Sequence, residues 1–163
     1  MSTYTLEQLT RLKNGTVDKL TLHDMQSHFK DPDRFTKMLQ VWQESVDWAD
    51  RILLPLAEHL FVVQKDDGSR VIKSTWGHEY CDAHENWKLH AKVFLRNTEE
   101  QFDEIYPRKM ACNPEWMEIR EYYDPISGVL LEVEAVPPGY PAVHDFDPDI
   151  DTFYSEWLGQ PLN

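Results

Sequence analysis

The sequence predicts an α+β fold in which N-terminal helices precede a core of two β-hairpins and an extended, partly helical C-terminal arm. Apolar residues recur at helical spacing through the first third of the chain. Two pairs of β-rich stretches each flank a glycine-containing turn. A proline-rich break at 137–141 then separates an acidic final segment. We therefore predict a helical region at 1–54, a hairpin domain with an inserted helix at 55–136, and an acidic arm at 137–163.

The first helices carry recognisable start signals. Thr5 with Gln8 is a capping-box pattern, and Gly15 ends the short helix that follows. Asp31-Pro32 is typical of a helix start. After it, apolar residues at helical spacing predict a helix of about five turns with one core face. These residues are Phe35, Met38, Leu39, Trp42, Val46 and Ala49.

The middle of the chain contains the strand signals. Strands at 60–63 and 71–72 form the first predicted hairpin, and strands at 119–123 and 129–133 form the second. Between them, a second capping-box pattern, Thr98 with Gln101, predicts a helix over 99–105. In the arm, Asp147-Pro148 predicts the start of a last short helix.

The charge balance excludes several classes of partner. With 16 Lys and Arg against 29 Asp and Glu, the formal net charge is -13, which argues against binding nucleic acid or an anionic membrane. No Lys or Arg follows Arg120, so the arm is either a solvated acidic surface or a tail that docks on a basic partner. Neither a signal-peptide pattern nor a membrane-spanning apolar run is present, and two cysteines make no disulfide framework. The cytoplasm is therefore the expected compartment.

One segment has the spacing of a metal-binding turn, His78-x-x-Cys81-x-x-His84. Two intervening residues allow a turn to bring flanking ligands onto one ion, and thiolate with imidazole favours zinc. Each histidine can equally be an ordinary surface residue, and Cys81 an inert thiol. A nucleophilic Cys81 paired with histidine is a further alternative, although no helix N-terminus or small-residue elbow surrounds it.

Three ligands from one loop need a fourth from elsewhere in the chain. The turn of the second hairpin offers Asp124 and Ser127 at the same spacing, where a zinc ribbon would place its second pair of ligands. Asp124 is a plausible carboxylate ligand and Ser127 a poor one, while His90 competes for the same position. The two hairpins would then form a zinc-ribbon-like core.

Other chemistry finds little support in the sequence. The alternating acidic residues at 145–151 imitate a calcium loop, but Ile150 stands where the sharp turn needs glycine. The zinc-deaminase signature is absent. So are a glycine-rich phosphate loop, a G-x-S-x-G elbow and a dinucleotide fingerprint. The chain therefore lacks the usual equipment for ATP or cofactor chemistry of its own.

Four strings carry a resemblance over nearly the whole chain: GHEYCDAHENWKLHA, DEIYPRKMA, EWMEIREYYDPISGVLLEVEA and YPAVHDFDPDIDTFYSEWLG. In these strings the sequence resembles the gamma (small) subunits of bacterial acetone carboxylase. The resemblance implies the zinc-binding subunit of an α2β2γ2 complex, a ligase that uses ATP and bicarbonate to carboxylate acetone to acetoacetate. It places ATP and manganese in the alpha and beta subunits.

The resemblance also bears on the zinc ligands. Related small subunits in other ATP-dependent carboxylases and hydantoinase-like complexes look like zinc ribbons with C-x-x-C at the second ligand pair, where this chain has Asp124-Pro-Ile-Ser127. The expected ligands here are His78, Cys81, His84 and Asp124, with His90 in reserve.

Three functions are therefore to be tested. The first is a structural or assembly subunit whose closed zinc site leaves the chemistry to other chains. The second is a zinc site with an open position that acts directly on a ketone or on water. The third is a free-standing acidic module that binds a basic protein.

Overall fold

Helices occupy the first part of the chain and two antiparallel sheets its middle, which confirms the α+β class. The computed structural model describes residues 4–162. No helix in that range is long and apolar enough to cross a membrane. The elements are α1 (Leu6–Lys13), α2 (Lys19–Ser27), α3 (Arg34–Gln43), β1 (Arg51–Ala57), β2 (Leu60–Gln64), β3 (Arg70–Ser74), β4 (Glu79–Asp82), β5 (Lys92–Arg96), α4 (Glu99–Asp103), β6 (Glu118–Tyr123), β7 (Leu130–Val136) and α5 (Ile150–Thr152). Short 3₁₀ turns lie at Trp87–His90 and Arg108–Met110, and a π-helical turn, Phe153–Trp157, continues α5.

Helix α1 begins with the predicted capping box. The hydroxyl of Thr5 accepts a hydrogen bond from the Gln8 backbone N–H at 3.2 Å, and the Gln8 side chain accepts one from Thr5 N–H at 2.9 Å. Leu9 of this helix is fully buried and packs with Met25 of α2 and Val41 of α3. The three helices thus share one small apolar cluster.

Helix α3 is shorter than its apolar stripe predicts. It starts after Asp33 rather than Asp31 and ends at Gln43. The amide of Gln43 then accepts a hydrogen bond from Ile52 N–H at 2.9 Å and donates one to Asp50 O at 3.1 Å. These bonds satisfy the start of β1, whose first four residues fall in the region 1–54 that the sequence analysis predicts as helical. The predicted stripe continues through Val46 and Ala49, but the chain turns after Gln43 and enters β1, which pairs with β2.

The first sheet has the strand order β1-β2-β3-β4, all antiparallel. Its central hairpin, β2 with β3, is the first predicted hairpin; Leu60 lies opposite Ser74 and Gln64 opposite Arg70. Strand β4 contains Cys81, so the middle ligand of the predicted metal-binding turn lies on a strand, with His78 just before the strand and His84 in the turn after it.

The second sheet has the order β5-β6-β7 and contains the second predicted hairpin, β6 with β7. Gly128 closes its turn at a φ of 72°, a conformation that glycine adopts without strain. The helix predicted between the two hairpins is confirmed as α4, which lies between β5 and β6, begins with the Thr98–Gln101 capping box and ends at Asp103. The zinc-ribbon-like arrangement of the two hairpins stays a prediction, as do the domain boundaries.

The C-terminal arm folds back onto the first sheet. Ile150 and Tyr154 are buried against Leu53 and Val62 in one cluster. The Tyr154 hydroxyl donates a 2.7 Å hydrogen bond to Leu53 O. The last helix begins two residues after Pro148, and Asp149 caps it by accepting from Thr152 N–H at 3.0 Å. The arm therefore contributes part of the core.

Candidate metal centre

Three side chains with metal-binding atoms meet at the end of β4. The ligand atoms of Cys81, Glu85 and His90 all lie within 4.8 Å of one another. Cys81 is half-buried, and the other two residues are exposed. We call these three residues the Cys81 group. They come from the strand, the turn that leaves it and the following 3₁₀ turn, so all three lie within ten residues of one another in the sequence.

Aromatic packing fixes the 3₁₀ turn that carries His90. Trp87, the first residue of the turn, is buried with its ring 5.7 Å from the ring of Tyr80 and 6.0 Å from that of Tyr122. These edge contacts connect the first sheet to the second. Asn86 caps the turn by accepting from Lys88 N–H at 3.1 Å. The position of His90 relative to Cys81 is thus determined by the junction of the two sheets.

The electrostatics of the Cys81 group favour cation binding over nucleophilic catalysis. Burial, followed by the nearby carboxylates of Glu85 and Asp82, raises the pKa of the Cys81 thiol to about 11. A reactive cysteine needs the opposite environment, in which positive charge lowers the pKa. The thiol instead donates a 3.6 Å hydrogen bond to Glu85 O, and His90 Nε2 lies 3.6 Å from Glu85 Oε2. A cation among these atoms would offset both the burial and the repulsion that raise the pKa of the Cys81 thiol.

The structure brings together two of the five candidates from the sequence, Cys81 and the reserve ligand His90. His78 and His84 lie outside the Cys81 group. The ring of His78 contacts the ring of Tyr80 at 4.6 Å. The exposed ring of His84 lies 2.8 Å from Asp147 through its Nδ1 atom, and this carboxylate raises the pKa of His84.

Asp124 is fully buried, and both of its carboxylate oxygens accept hydrogen bonds. Oδ2 accepts from the Tyr80 hydroxyl at 2.9 Å, while Oδ1 accepts from the backbone N–H groups of Ile126 and Ser127 at 3.1 and 2.7 Å. Although burial alone would raise it, these bonds and one from Ser74 lower the pKa of Asp124. The carboxylate thus holds the β6–β7 turn against β4.

Glu85 is the member of the Cys81 group that the sequence analysis did not identify. It is one of 29 acidic residues, and no spacing rule distinguishes it from the others. Its proximity to Cys81 depends on the turn after β4, and its proximity to His90 depends on the 3₁₀ turn. Only the folded chain shows both.

A second cluster of carboxylates already contains a cation. Glu132, Glu134 and Asp145 surround the ammonium of Lys88, whose side chain is completely buried. Lys88 Nζ lies 2.6 Å from Glu132 and 2.7 Å from Glu134, and it also donates to Asp145. Although burial opposes the charge, the bonds to the three carboxylates raise the pKa of Lys88. This cluster joins the 3₁₀ turn, β7 and the arm.

Comparison of the sequence with known proteins identifies one family. A family model described as acetone carboxylase gamma subunit matches residues 46–158. The chain is also 46% identical over 160 residues to the acetone carboxylase gamma subunit of Xanthobacter autotrophicus (strain ATCC BAA-1158 / Py2), which covers 98% of this chain and 95% of that protein. The matched region contains both sheets, the Cys81 group and most of the arm. The chain therefore belongs to the acetone carboxylase gamma subunit family.

Proposed function

We propose that this chain is a zinc-binding structural subunit that assembles or completes a cytoplasmic, ATP-dependent acetone carboxylase. In this proposal the chain joins alpha and beta subunits in an α2β2γ2 complex. The larger subunits carry ATP, manganese and the ligase chemistry that converts acetone and bicarbonate to acetoacetate. Family membership supports the association with a carboxylase. The observation that carries the structural role is the Cys81 group at the junction of the two sheets.

The donor set of this group suits zinc. A thiolate, an imidazole and a carboxylate are all zinc ligands, and the thiolate disfavours calcium and magnesium. Ligand atoms on one tetrahedral zinc ion lie roughly 3.5 Å apart. Atoms that are already within 4.8 Å therefore need only small side-chain movements. Cys81, Glu85 and His90 would hold the ion, and the originally expected His78 and His84 remain proposed donors for a fourth position.

Asp124 fits the ligand role less well than the sequence spacing suggests. Metal binding would require it to give up hydrogen bonds from Tyr80, Ile126 or Ser127, each of which satisfies a group near the buried turn. We therefore propose that Asp124 supports the site through Tyr80 and β4, while Cys81 supplies the central ligand.

A zinc ion would contribute to folding at this position. It would tie β4, the following turn and the 3₁₀ turn to one another. Structural zinc can supply on the order of 10 kcal/mol of folding free energy. This part of the chain would then present a rigid surface to the larger subunits. The sequence contains no phosphate-binding loop, so the proposal assigns the nucleotide chemistry to those subunits.

A matched pair of cysteine substitutions tests the structural role. We expect Cys81→Ala to lose zinc and to abolish assembly with co-expressed alpha and beta subunits, because the thiolate is the central ligand. Cys112, the other free and half-buried cysteine, provides the control. Cys112→Ala should keep both zinc and assembly. Metal analysis by mass spectrometry and size-exclusion chromatography of the co-expressed subunits give the two readouts.

The proposal fails if the Cys81→Ala subunit assembles fully, stays folded without metal and loses only turnover. That result would instead support the second candidate function, a zinc site with an open position that acts on a ketone or on water. One observation favours this candidate: the Cys81 group supplies three protein ligands, and two of them are exposed. X-ray absorption spectroscopy of the zinc-loaded complex distinguishes four protein ligands from three with a water.

A further inference from the structure

An apolar groove of about 430 Å³ lies between β1 and the C-terminal arm. It is separate from the Cys81 group and shares no residue with it. One wall comes from β1, and the others come from residues before and after the start of α5. The apolar lining residues are Leu54, Phe146, Pro148, Ile150, Phe153 and Trp157.

Two aromatic side chains of this groove are unusually exposed. Phe146 is 57% exposed and Trp157 is 78% exposed. Aromatic rings dominate the energetics of protein interfaces, and exposed apolar surface around a groove marks a binding site. Trp157 packs against other aromatic rings. The centroid of its ring lies 5.9 Å from that of Phe153, and the centroid of the Phe153 ring lies 5.1 Å from that of Phe35. These contacts position the aromatic side of the groove in the unbound chain.

The rim of the groove is acidic. Asp147 and Asp149 line it, and no Lys or Arg follows Arg120 in the sequence. Asp149 accepts hydrogen bonds from the backbone N–H and the side chain of Thr152, and no salt bridge within residues 4–162 includes it. Asp147 contacts His84, where both side chains are more than half exposed. Asp147 is thus paired with His84, while the carboxylate of Asp149 gives the rim a negative charge that no salt bridge within the described residues offsets.

We propose that this groove docks a segment of a larger carboxylase subunit that carries an Arg or Lys side chain next to an apolar one. The aliphatic stem of the basic residue lies against Phe146 and Trp157, and its charge faces Asp147 and Asp149. Long basic side chains combine these two features, and an arginine on an indole ring gains a further cation–π attraction. This inference rests on the proposed function, since it names the surface through which the subunit assembles.

A second copy of this chain is a poor occupant. Each copy carries a formal net charge of -13, so that two copies repel one another. The arm itself has no basic residue to place on the rim of another copy. Charge complementarity therefore selects a partner with a basic segment.

The test uses co-expression with the alpha and beta subunits and three aromatic substitutions. Trp157→Ala and Phe146→Ala should each weaken association with the large subunits by tenfold or more. Trp116→Ala is the matched control, because Trp116 is 76% exposed but lies outside the groove. It should leave association unchanged. The dissociation constant is measured by biolayer interferometry, and zinc content and melting temperature of each isolated variant verify that the fold is intact.

Charge is tested separately from shape. Asp149→Ser keeps a good N-cap for α5 but removes the carboxylate from the rim. We expect weaker association at low salt and a smaller loss of affinity as salt rises, because screening then has less attraction to remove.

The outcomes separate the two proposals. If the wild-type subunit fails to associate with the alpha and beta subunits, both proposals are wrong. If it associates but Trp157→Ala behaves as Trp116→Ala does, only the groove proposal is overturned. Sedimentation of the isolated wild-type chain as a dimer that Trp157→Ala dissolves would assign the groove to a second copy and would also overturn it.

Discussion

At the scale of single residues, Asp124 connects the two sheets through hydrogen bonds rather than through bulk. Its buried carboxylate accepts hydrogen bonds from the Tyr80 hydroxyl on β4 and from two backbone N–H groups of its own turn. Bonds to a charged acceptor are stronger than neutral ones, and a buried donor left without its partner is costly. One side chain thereby fixes the β6–β7 turn beside the strand that carries Cys81.

Substitution of Asp124 should reveal this role. We expect Asp124→Asn to lower the free energy of unfolding by about 2–3 kcal/mol, because the amide cannot accept all of the hydrogen bonds and carries no charge. The zinc content should remain that of the wild type if the carboxylate acts through Tyr80. Urea unfolding measures the first quantity, and metal analysis measures the second. Asp67→Asn is the control, since Asp67 accepts similar bonds from Ser69 in an exposed turn; it should lower the free energy of unfolding much less, because water replaces the lost bonds at an exposed site.

The stability difference between wild type and Asp124→Asn should depend on pH. The pKa of Asp124 is lowered from 3.8 in the folded chain, so its ionised form is stabilised by folding. Its contribution is complete above pH 3.8 and is lost as the pH falls below this value towards the folded-state pKa. The stability difference between wild type and Asp124→Asn should therefore be constant near neutral pH and shrink below pH 4. A difference that instead grew in acid would contradict the assignment.

At the scale of elements, the sequence alone was sufficient to predict those features that depend on a few neighbouring residues. Both capping boxes satisfy their donors within four residues, and both predicted hairpins contain glycine at a turn that needs a positive φ. These features were predicted correctly because no distant contact is needed to form them.

Strand β1 could not be predicted in this way. Its residues 52–54 are a continuous apolar run that directly follows a helical stripe, and periodicity alone does not separate a buried strand from a helix. The strand forms because β2 and the Gln43 side chain satisfy the hydrogen-bonding groups of its backbone.

The candidate metal centre could likewise be predicted only in part from the sequence. The sequence identified the segment and Cys81, but the choice of His90 and Glu85 depends on how the two sheets meet.

The turn of the β6–β7 hairpin offers a prediction at this scale. Gly128 has a φ of 72°, and a Cβ atom there would meet nothing within 4 Å. Gly128→Ala should therefore lower stability by about 1–2 kcal/mol through backbone strain alone. Gly128→Asn should recover part of this loss, because asparagine tolerates the left-handed conformation. Thermal unfolding compares the two, and equal melting temperatures would show that the turn rearranges instead.

At the scale of the whole molecule, Lys88 determines where the C-terminal arm lies. Its buried ammonium bonds to Glu132 and Glu134 on β7 and to Asp145 in the arm. Glu134 also accepts from Tyr122 Oη at 2.7 Å and from Val143 N–H at 3.1 Å. The second sheet and the arm are thus joined by one charged cluster, while Ile150 and Tyr154 join the arm to the first sheet.

Removal of this lysine should loosen the arm. Lys88→Met leaves the buried carboxylate of Glu134, and the more exposed ones of Glu132 and Asp145, without their cation. Loss of one member of a buried ion cluster costs about 3–5 kcal/mol. We expect faster proteolysis between residues 137 and 149, where the arm has no regular structure. Limited digestion followed by mass spectrometry locates the cuts. Lys92→Met provides the control, because Lys92 is an exposed lysine four residues away. An arm equally protected in both variants would show that the apolar contacts alone hold it.

The hydrogen bond from Tyr154 to Leu53 O spans 101 residues and has a consequence for biosynthesis. A ribosome finishes β1 long before it adds the residues that cover it. During translation the buried face around Leu53 lacks Ile150 and Tyr154, so the first sheet waits in an incomplete state for its own C-terminal arm. The same late segment carries Phe146 and Trp157 into the groove. A nascent subunit would therefore lack the proposed docking surface until Ile150 and Tyr154 have packed onto the first sheet. Assembly through this groove would then follow completion of the core.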